Sequence, residues 1–163
     1  MDLSDQRQLD AAEGWLGLGD WKQANEELEQ ITPRMRAHPL VLHVRWGIYE
    51  KAKKWDAALE VARMVAKDQP TDSWGWIHWA YTLHEMKRTA EARDVLLSVV
   101  DRFPKESTIS YNLACYFCQL DELSKSREWL NRAFEFEEKD DLRSMALNDP
   151  DLKPLWKEIQ KKL

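Results

Sequence analysis

Small and large apolar residues return along this chain at a fixed interval of 34. Reading down columns at that spacing gives Trp21, Trp55, Thr89, Leu123, then Ala24, Ala58, Ala92, Ser126, then Leu28, Ala62, Leu96, Leu130, and finally Ile31, Val65, Val99, Ala133. Upstream in each unit stand Ala12, Trp46, Ala80, Ala114 and then Trp15, Tyr49, Leu83, Phe117. A register kept for four units, small under small and large under large, predicts stacked supersecondary units rather than one closed core.

Each unit reads as two amphipathic helices joined by a short polar turn. In the third, Ser73 is placed to cap a helix carrying Trp76, Trp79, Ala80 and Leu83, whose spacings of three and four form one stripe. Lys87-Arg88-Thr89 makes the turn, Ala92, Leu96 and Val99 form the second stripe, and Phe103-Pro104 stops it. In the first unit Gly17 and Gly19 loosen the turn, Asp20 caps the second helix and Pro33 ends it, leaving Thr32 to Pro39 as a linker. The second unit puts bulky Trp46 in the small column, which calls for a wider or tilted contact. Trp15, Trp46, Trp76 and Trp79 all fall in packing columns and are expected in the core.

The units run over 5–38, 39–72, 73–106 and 107–140, within a single domain spanning 1–163. After Asp140 the pattern changes. Leu142, Met145 and Ala146 predict one more short helix. Asn148-Asp149-Pro150 reads as a stop, a cap and a first-turn proline, and Leu152, Leu155, Trp156 and Ile159 form a last apolar stripe, with Lys157, Lys161 and Lys162 near its end. The segment 141–163 is expected to cap the apolar face of the last repeat. The alternatives are a mobile arm for another protein and folding back to occupy the binding groove.

The third unit resembles the tetratricopeptide repeat. Trp76, Trp79, Ala80, Leu83, Ala92, Leu96 and Pro104 stand at the spacings of that family's signature, with Trp79 where Leu is usual and Ala80 where Gly is usual. The likeness extends over about residues 5 to 140, strongest in the third and fourth units, while Gln8 and Ala11 replace large residues in the first. The resemblance implies an all-α fold, a right-handed superhelical α-solenoid of antiparallel helix pairs. It also implies that the first helices line a concave groove for a peptide or partner helix. The corresponding groove positions are Leu40, His43, Gly47 and Glu50 in the second unit, Trp74, Ile77, Tyr81 and His84 in the third, and Thr108, Tyr111, Cys115 and Cys118 in the fourth. Some family members grip acidic chaperone tails with a clamp of Lys, Asn and Arg. Here those positions hold His43, Gly47, His78, Thr108 and Asn112, so a heat-shock cochaperone role is not expected.

Composition sharpens this picture. The 163 residues are 44% apolar and 33% charged with five Gly and six Pro, which suits a helical array and not a disordered chain. A net charge of −5 argues against a general nucleic-acid binder. The basic stretch from Arg34 to Lys54 spreads over several faces and reads as solvated surface. The first ten residues, MDLSDQRQLD, lack a secretory pattern and no apolar run is long enough for membrane insertion, so the expected location is cytoplasmic.

Candidate chemistry is sparse. Cys115 and Cys118 form a C-x-x-C, but inside a helical stripe with no second pair to complete a tetrahedral set, so packing or groove lining is expected and no metal site. His38, His43, His78 and His84 have no ligand spacing, and the runs Glu26, Glu27, Glu29 and Glu135, Glu137, Glu138 read as solvated faces. With no phosphate loop, nucleophile elbow or acid/base pair, the expectation is a non-enzyme without cofactor that binds another protein or peptide as adaptor or scaffold. The alternatives are a small acidic secretion chaperone of the bacterial type III class holding a hydrophobic client, and, from a different class, a redox or metal sensor at Cys115 and Cys118.

Overall fold

Helices formed by the two stripes of each unit account for most of the chain, and no strand occurs among the described residues. A computed structural model describes residues 1–136 and 139–161, with side chains of 136, 139 and 140 left undescribed. The acidic pair Glu137 and Glu138, and Lys162 near the C-terminus, therefore lie outside the described residues. The chain divides into two compact units, Met1–Pro70 and Thr71–Leu163.

The first unit contains α1 (Leu3–Gly17), α2 (Trp21–Glu29), α3 (Pro39–Lys51) and α4 (Trp55–Asp68), with a short 3-10 turn at Pro33–Met35. Here α1 packs on α2 and α3, and α3 on α4. Its core gathers Leu9, Ala12, Ala24, Leu28, Ile31, Val41, Val44 and Ile48. The second unit contains α5 (Ser73–Glu85), α6 (Thr89–Leu97), α7 (Ser107–Gln119), α8 (Leu123–Phe136), α9 (Lys139–Asn148) and α10 (Trp156–Lys161). Three-10 turns lie at Val100–Arg102 and Pro150–Leu155. Successive helices pack as neighbours from α5 to α9, and α5 also touches α7.

The columns of the sequence become the contacts between paired helices. Ala24, Ala58, Ala92 and Ser126 have no exposed surface at all, and neither do Ala12, Ala80 and Ala114. Leu28, Ala62, Leu96 and Leu130 are buried beside them. Trp46 is accommodated in the small column and is buried too. Trp15 departs from its expected core position and is 38% exposed at the last turn of α1, while Trp76 and Trp79 are half-buried and stack on each other at 5.6 Å.

The 34-residue period also appears in the backbone. Gly19, Lys53, Lys87 and Asp121 all adopt positive φ, at 85°, 57°, 63° and 60°. Each follows the first helix of its pair, where a left-handed residue lets the chain reverse. Only the first of the four is the residue type that adopts this conformation without steric cost. A matching ladder caps the first helices. The side chains of His38, Asp72 and Glu106 each face the backbone N–H two residues on, at Leu40, Trp74 and Thr108. The cap of α5 is thus Asp72, at 2.8 Å from the Trp74 nitrogen, and not Ser73, whose hydroxyl instead donates to Glu106 at 3.1 Å.

A buried carboxylate ties the start of the first unit to its linker. Asp5 is 2% exposed and accepts the Thr32 N–H at 2.8 Å and the Thr32 hydroxyl at 2.7 Å. These two hydrogen bonds hold its pKa below the usual 3.8. A lowered folded-state pKa means that this stabilisation is present above the unfolded value and is lost as pH falls through the folded one. Asp5→Asn should therefore flatten the acid limb of thermal unfolding below about pH 4 relative to the parent chain. Lys87→Gly should raise stability in urea by about 0.5–1 kcal/mol, because glycine removes the left-handed penalty at more than its own entropic cost.

Candidate functional site

Twelve positions were expected to line a binding face, and they fall into two sets, one on each unit. On α3, Leu40 is exposed, and His43, Gly47 and Glu50 are half-buried. Gly47 meets a neighbouring side chain at close range: a Cβ added there would lie 2.7 Å from Leu16 Cδ2. The end of α1 thus leans on α3 where a side chain is missing, and Glu50 approaches the ammonium of Lys51 at 3.9 Å.

The second set lies on α5 and α7. Trp74, Ile77 and Tyr81 are half-buried along α5, and Trp74 stacks on His78 with ring centres 3.9 Å apart. Thr108 is exposed at the start of α7, whereas Tyr111, Cys115, Cys118 and, on α5, His84 are buried. Neither α5 nor α7 contains a Lys or Arg.

Three of these four buried residues, Tyr111, Cys115 and His84, meet the chain's own C-terminal segment. After α9 the backbone crosses α7 as the turn Pro150–Leu155. Asp149 caps that turn, accepting from the Asp151 N–H at 2.9 Å through Oδ1. Its Oδ2 accepts the Tyr111 hydroxyl at 2.8 Å and the Cys115 thiol at 3.5 Å. Asp151 Oδ2 lies 2.8 Å from His84 Nε2, which must donate because a carboxylate only accepts, and His84 Nδ1 sits 3.0 Å from the Thr89 hydroxyl. Gln119 donates to the Asp151 carbonyl at 3.0 Å. The Trp156 indole N–H reaches back to the carbonyls of Ala146 and Asp149 at 3.0 and 3.2 Å.

Magnitudes decide what holds this segment down. Leu152 and Leu155 are completely or almost completely buried, and such burial is worth roughly 1.5–3 kcal/mol for each leucine. A hydrogen bond to a carboxylate contributes about 1.5–3 kcal/mol, the same order. The leucines and the carboxylates together supply the adhesion, and the directional carboxylate bonds fix the register. The exposed pair of Arg127 and Glu158, at 2.6 and 2.8 Å, adds little to it. This explains why the Asp149-Pro150 cap and the Leu152, Leu155, Ile159 stripe recur as predicted. Their landing place on α7 had no local signal in the sequence, since Asp151 finds His84 across 67 residues.

The chemistry of the buried groups is muted. Burial, with the Asp149 and Asp151 carboxylates nearby, pushes the Cys115 thiol well above its usual pKa. Burial also raises Cys118 and shifts the phenols of Tyr111 and Tyr116 far upward. Among the described residues no group of three or more His, Cys, Asp or Glu gathers as a metal site, and both cysteines are free thiols.

The N-terminal part of this face is different. Between α7 and α9 a cleft of about 450 Å³ opens, bordered by Thr108, Tyr111, Asn112, Asp141 and Met145. Met145 is 48% exposed. Asp141 and Met145 were not among the expected positions. The only sequence signal for them was their place on the helix that follows the fourth unit.

Comparison with known proteins agrees with this architecture. A family model described as tetratricopeptide repeat matches residues 76–106. A solved structure of TTC0263, a thermophilic TPR protein of Thermus thermophilus, is similar with TM-score 0.75 and 17% identity, over 95% of this chain and 82% of that one. MamA from residue 41 to its end, from Desulfovibrio magneticus RS-1, is similar with TM-score 0.73 and 19% identity, over 99% and 94%. No curated protein matches the chain by sequence. Both thiols should react slowly with a thiol reagent at pH 7.5 in the folded protein and at least about tenfold faster in denaturant, because the thiolate is the reactive form and burial disfavours it.

Proposed function

We propose that the chain, which has the fold of tetratricopeptide-repeat proteins and matches that family's model at residues 76–106, is a non-catalytic module that binds another polypeptide. We place the contact on the part of the α5 and α7 face that the C-terminal segment leaves open. Repeat arrays present extended surfaces of this kind to partners. The observation that carries the reading is the contrast along that face. Trp74, Ile77, Tyr81 and Thr108 keep solvent access, while Cys115 and Cys118 lie at 4% and 2% exposure.

The rigid scaffold carries the ordering cost in advance, so a partner loses mainly its own freedom on binding. Aromatic side chains with few rotamers then provide area at low entropic cost, which is the character of interface hot spots. We also propose the repeat boundaries 5–38, 39–72, 73–106 and 107–140, with 141–163 as the cap. Free buried thiols suit a reducing cytoplasmic setting. No helix among the described residues is long and apolar enough to cross a membrane.

The measurement that checks this reading is affinity capture from the native extract, followed by titration of the captured partner. Trp74→Ala and Tyr81→Ala should each weaken binding at least about tenfold while leaving the circular dichroism melt within a few degrees of the parent. Undiminished binding by both folded variants would move the contact elsewhere.

A further inference from the structure

The open cleft between α7 and α9 has a definite chemical preference. Among the residues that line it, Asp141 is the one charged side chain, and it is exposed. The Asp149 carboxylate stands just behind, 2.8 Å from the Tyr111 hydroxyl. Of the two helices that border it, α7 carries no Lys or Arg, and among the described side chains of α9 the one cation is Arg143.

The arginines of α8 and α9 do not line the cleft. Arg127 forms a two-pronged pair with Glu158, Arg132 lies over Trp129 at 5.1 Å, and Arg143 lies over Phe134 at 5.6 Å. The charge that lines the cleft is thus negative, and Tyr111, Leu142 and Met145 give it an apolar lining. Thr108 and Asn112 add side-chain oxygens able to accept hydrogen bonds.

Building on the binding face proposed above, we propose that this cleft receives an arginine side chain from an extended basic segment of the partner, with Asp141 as its counter-ion. The aliphatic stem fits between Tyr111 and Met145. A guanidinium suits the site better than an ammonium because it is planar, sheds water more easily and can fork to a carboxylate while lying on a ring. The volume of the cleft falls within the range of small-ligand pockets. Charge complementarity also fits a chain whose net charge is −5.

The test uses the full chain, isotopically labelled, and three small probes: the N-acetyl, N-methylamide derivatives of arginine, norleucine and glutamate. The arginine probe should shift the resonances of Thr108, Asn112 and the Met145 methyl with millimolar affinity, weakening as salt is added. Asp141→Asn, which alters one exposed side chain, should weaken it on the order of fivefold with an unchanged melt. Equal binding of the norleucine probe, or an arginine response that Asp141→Asn leaves intact, overturns the proposal. Titration with the captured partner separates this from the broader reading. If Trp74→Ala and Tyr81→Ala release the partner but Asp141→Lys does not weaken it, the binding face stands and the arginine cleft falls. If the arginine probe behaves as expected while those two variants keep the partner, the cleft stands and the partner's footprint lies elsewhere.

Discussion

Paired helices in this protein meet across residues that have almost no side chain, and the remaining architecture depends on that close approach. Ala80 against the Ala92 helix, and Ala114 against the Ser126 helix, bring two backbones together with no exposed surface left at the contact. Tight approach is what allows Leu83, Leu96, Phe117 and Leu130 to fill the flanks and be buried there. A polar atom is admitted there only because it is satisfied on the spot: the Ser126 hydroxyl donates to the Ala114 carbonyl at 2.7 Å. Leaving that hydroxyl unpaired would cost more than the volume difference from alanine suggests.

Reversing the chain so tightly has a conformational cost. The four left-handed residues sit where the first helix of each pair must hand over to the second, and Lys53, Lys87 and Asp121 accept a backbone state that their side chains disfavour. Packing of the pair compensates. Cations placed beside the same turns lie over aromatic rings, Lys53 over Trp55 at 5.3 Å and Lys54 over Trp21 at 5.8 Å in the first unit, and Lys125 over Phe117 at 5.2 Å in the second. The basic stretch that looked like plain solvated surface is in part a set of lids on half-buried rings.

Most of the fold was legible because burial in a helix pair repeats with the chain's own period. Alanine and leucine columns report that directly, and Ala24, Leu28 and Ile31 lie where their columns put them. Other features depend on partners that no spacing announces. Asp5 is buried because Thr32 offers it two donors, yet in the sequence it is one acid among several at the start of α1. Trp15 shares a column with buried Leu83 and Phe117 but stays exposed, since a column records register and not what covers it. For the candidate site, the aromatic positions of α5 and α7 were legible by register. The division of that face was not, because Asp149 and Asp151 reach it from a segment without repeat symmetry.

The crossing of α7 by the Asp149–Leu155 stretch also orders events in time. During synthesis Tyr111 emerges 38 residues before the Asp149 that will accept its hydroxyl, and His84 emerges 67 residues before Asp151. Until those residues leave the ribosome, α7 carries an uncovered face of thiols and phenols. At ordinary elongation rates of about 5–20 residues per second that interval lasts seconds. A nascent chain of this protein therefore passes through a stage in which α7 is complete and its cover is not, and chain termination in that window would release a product prone to aggregate.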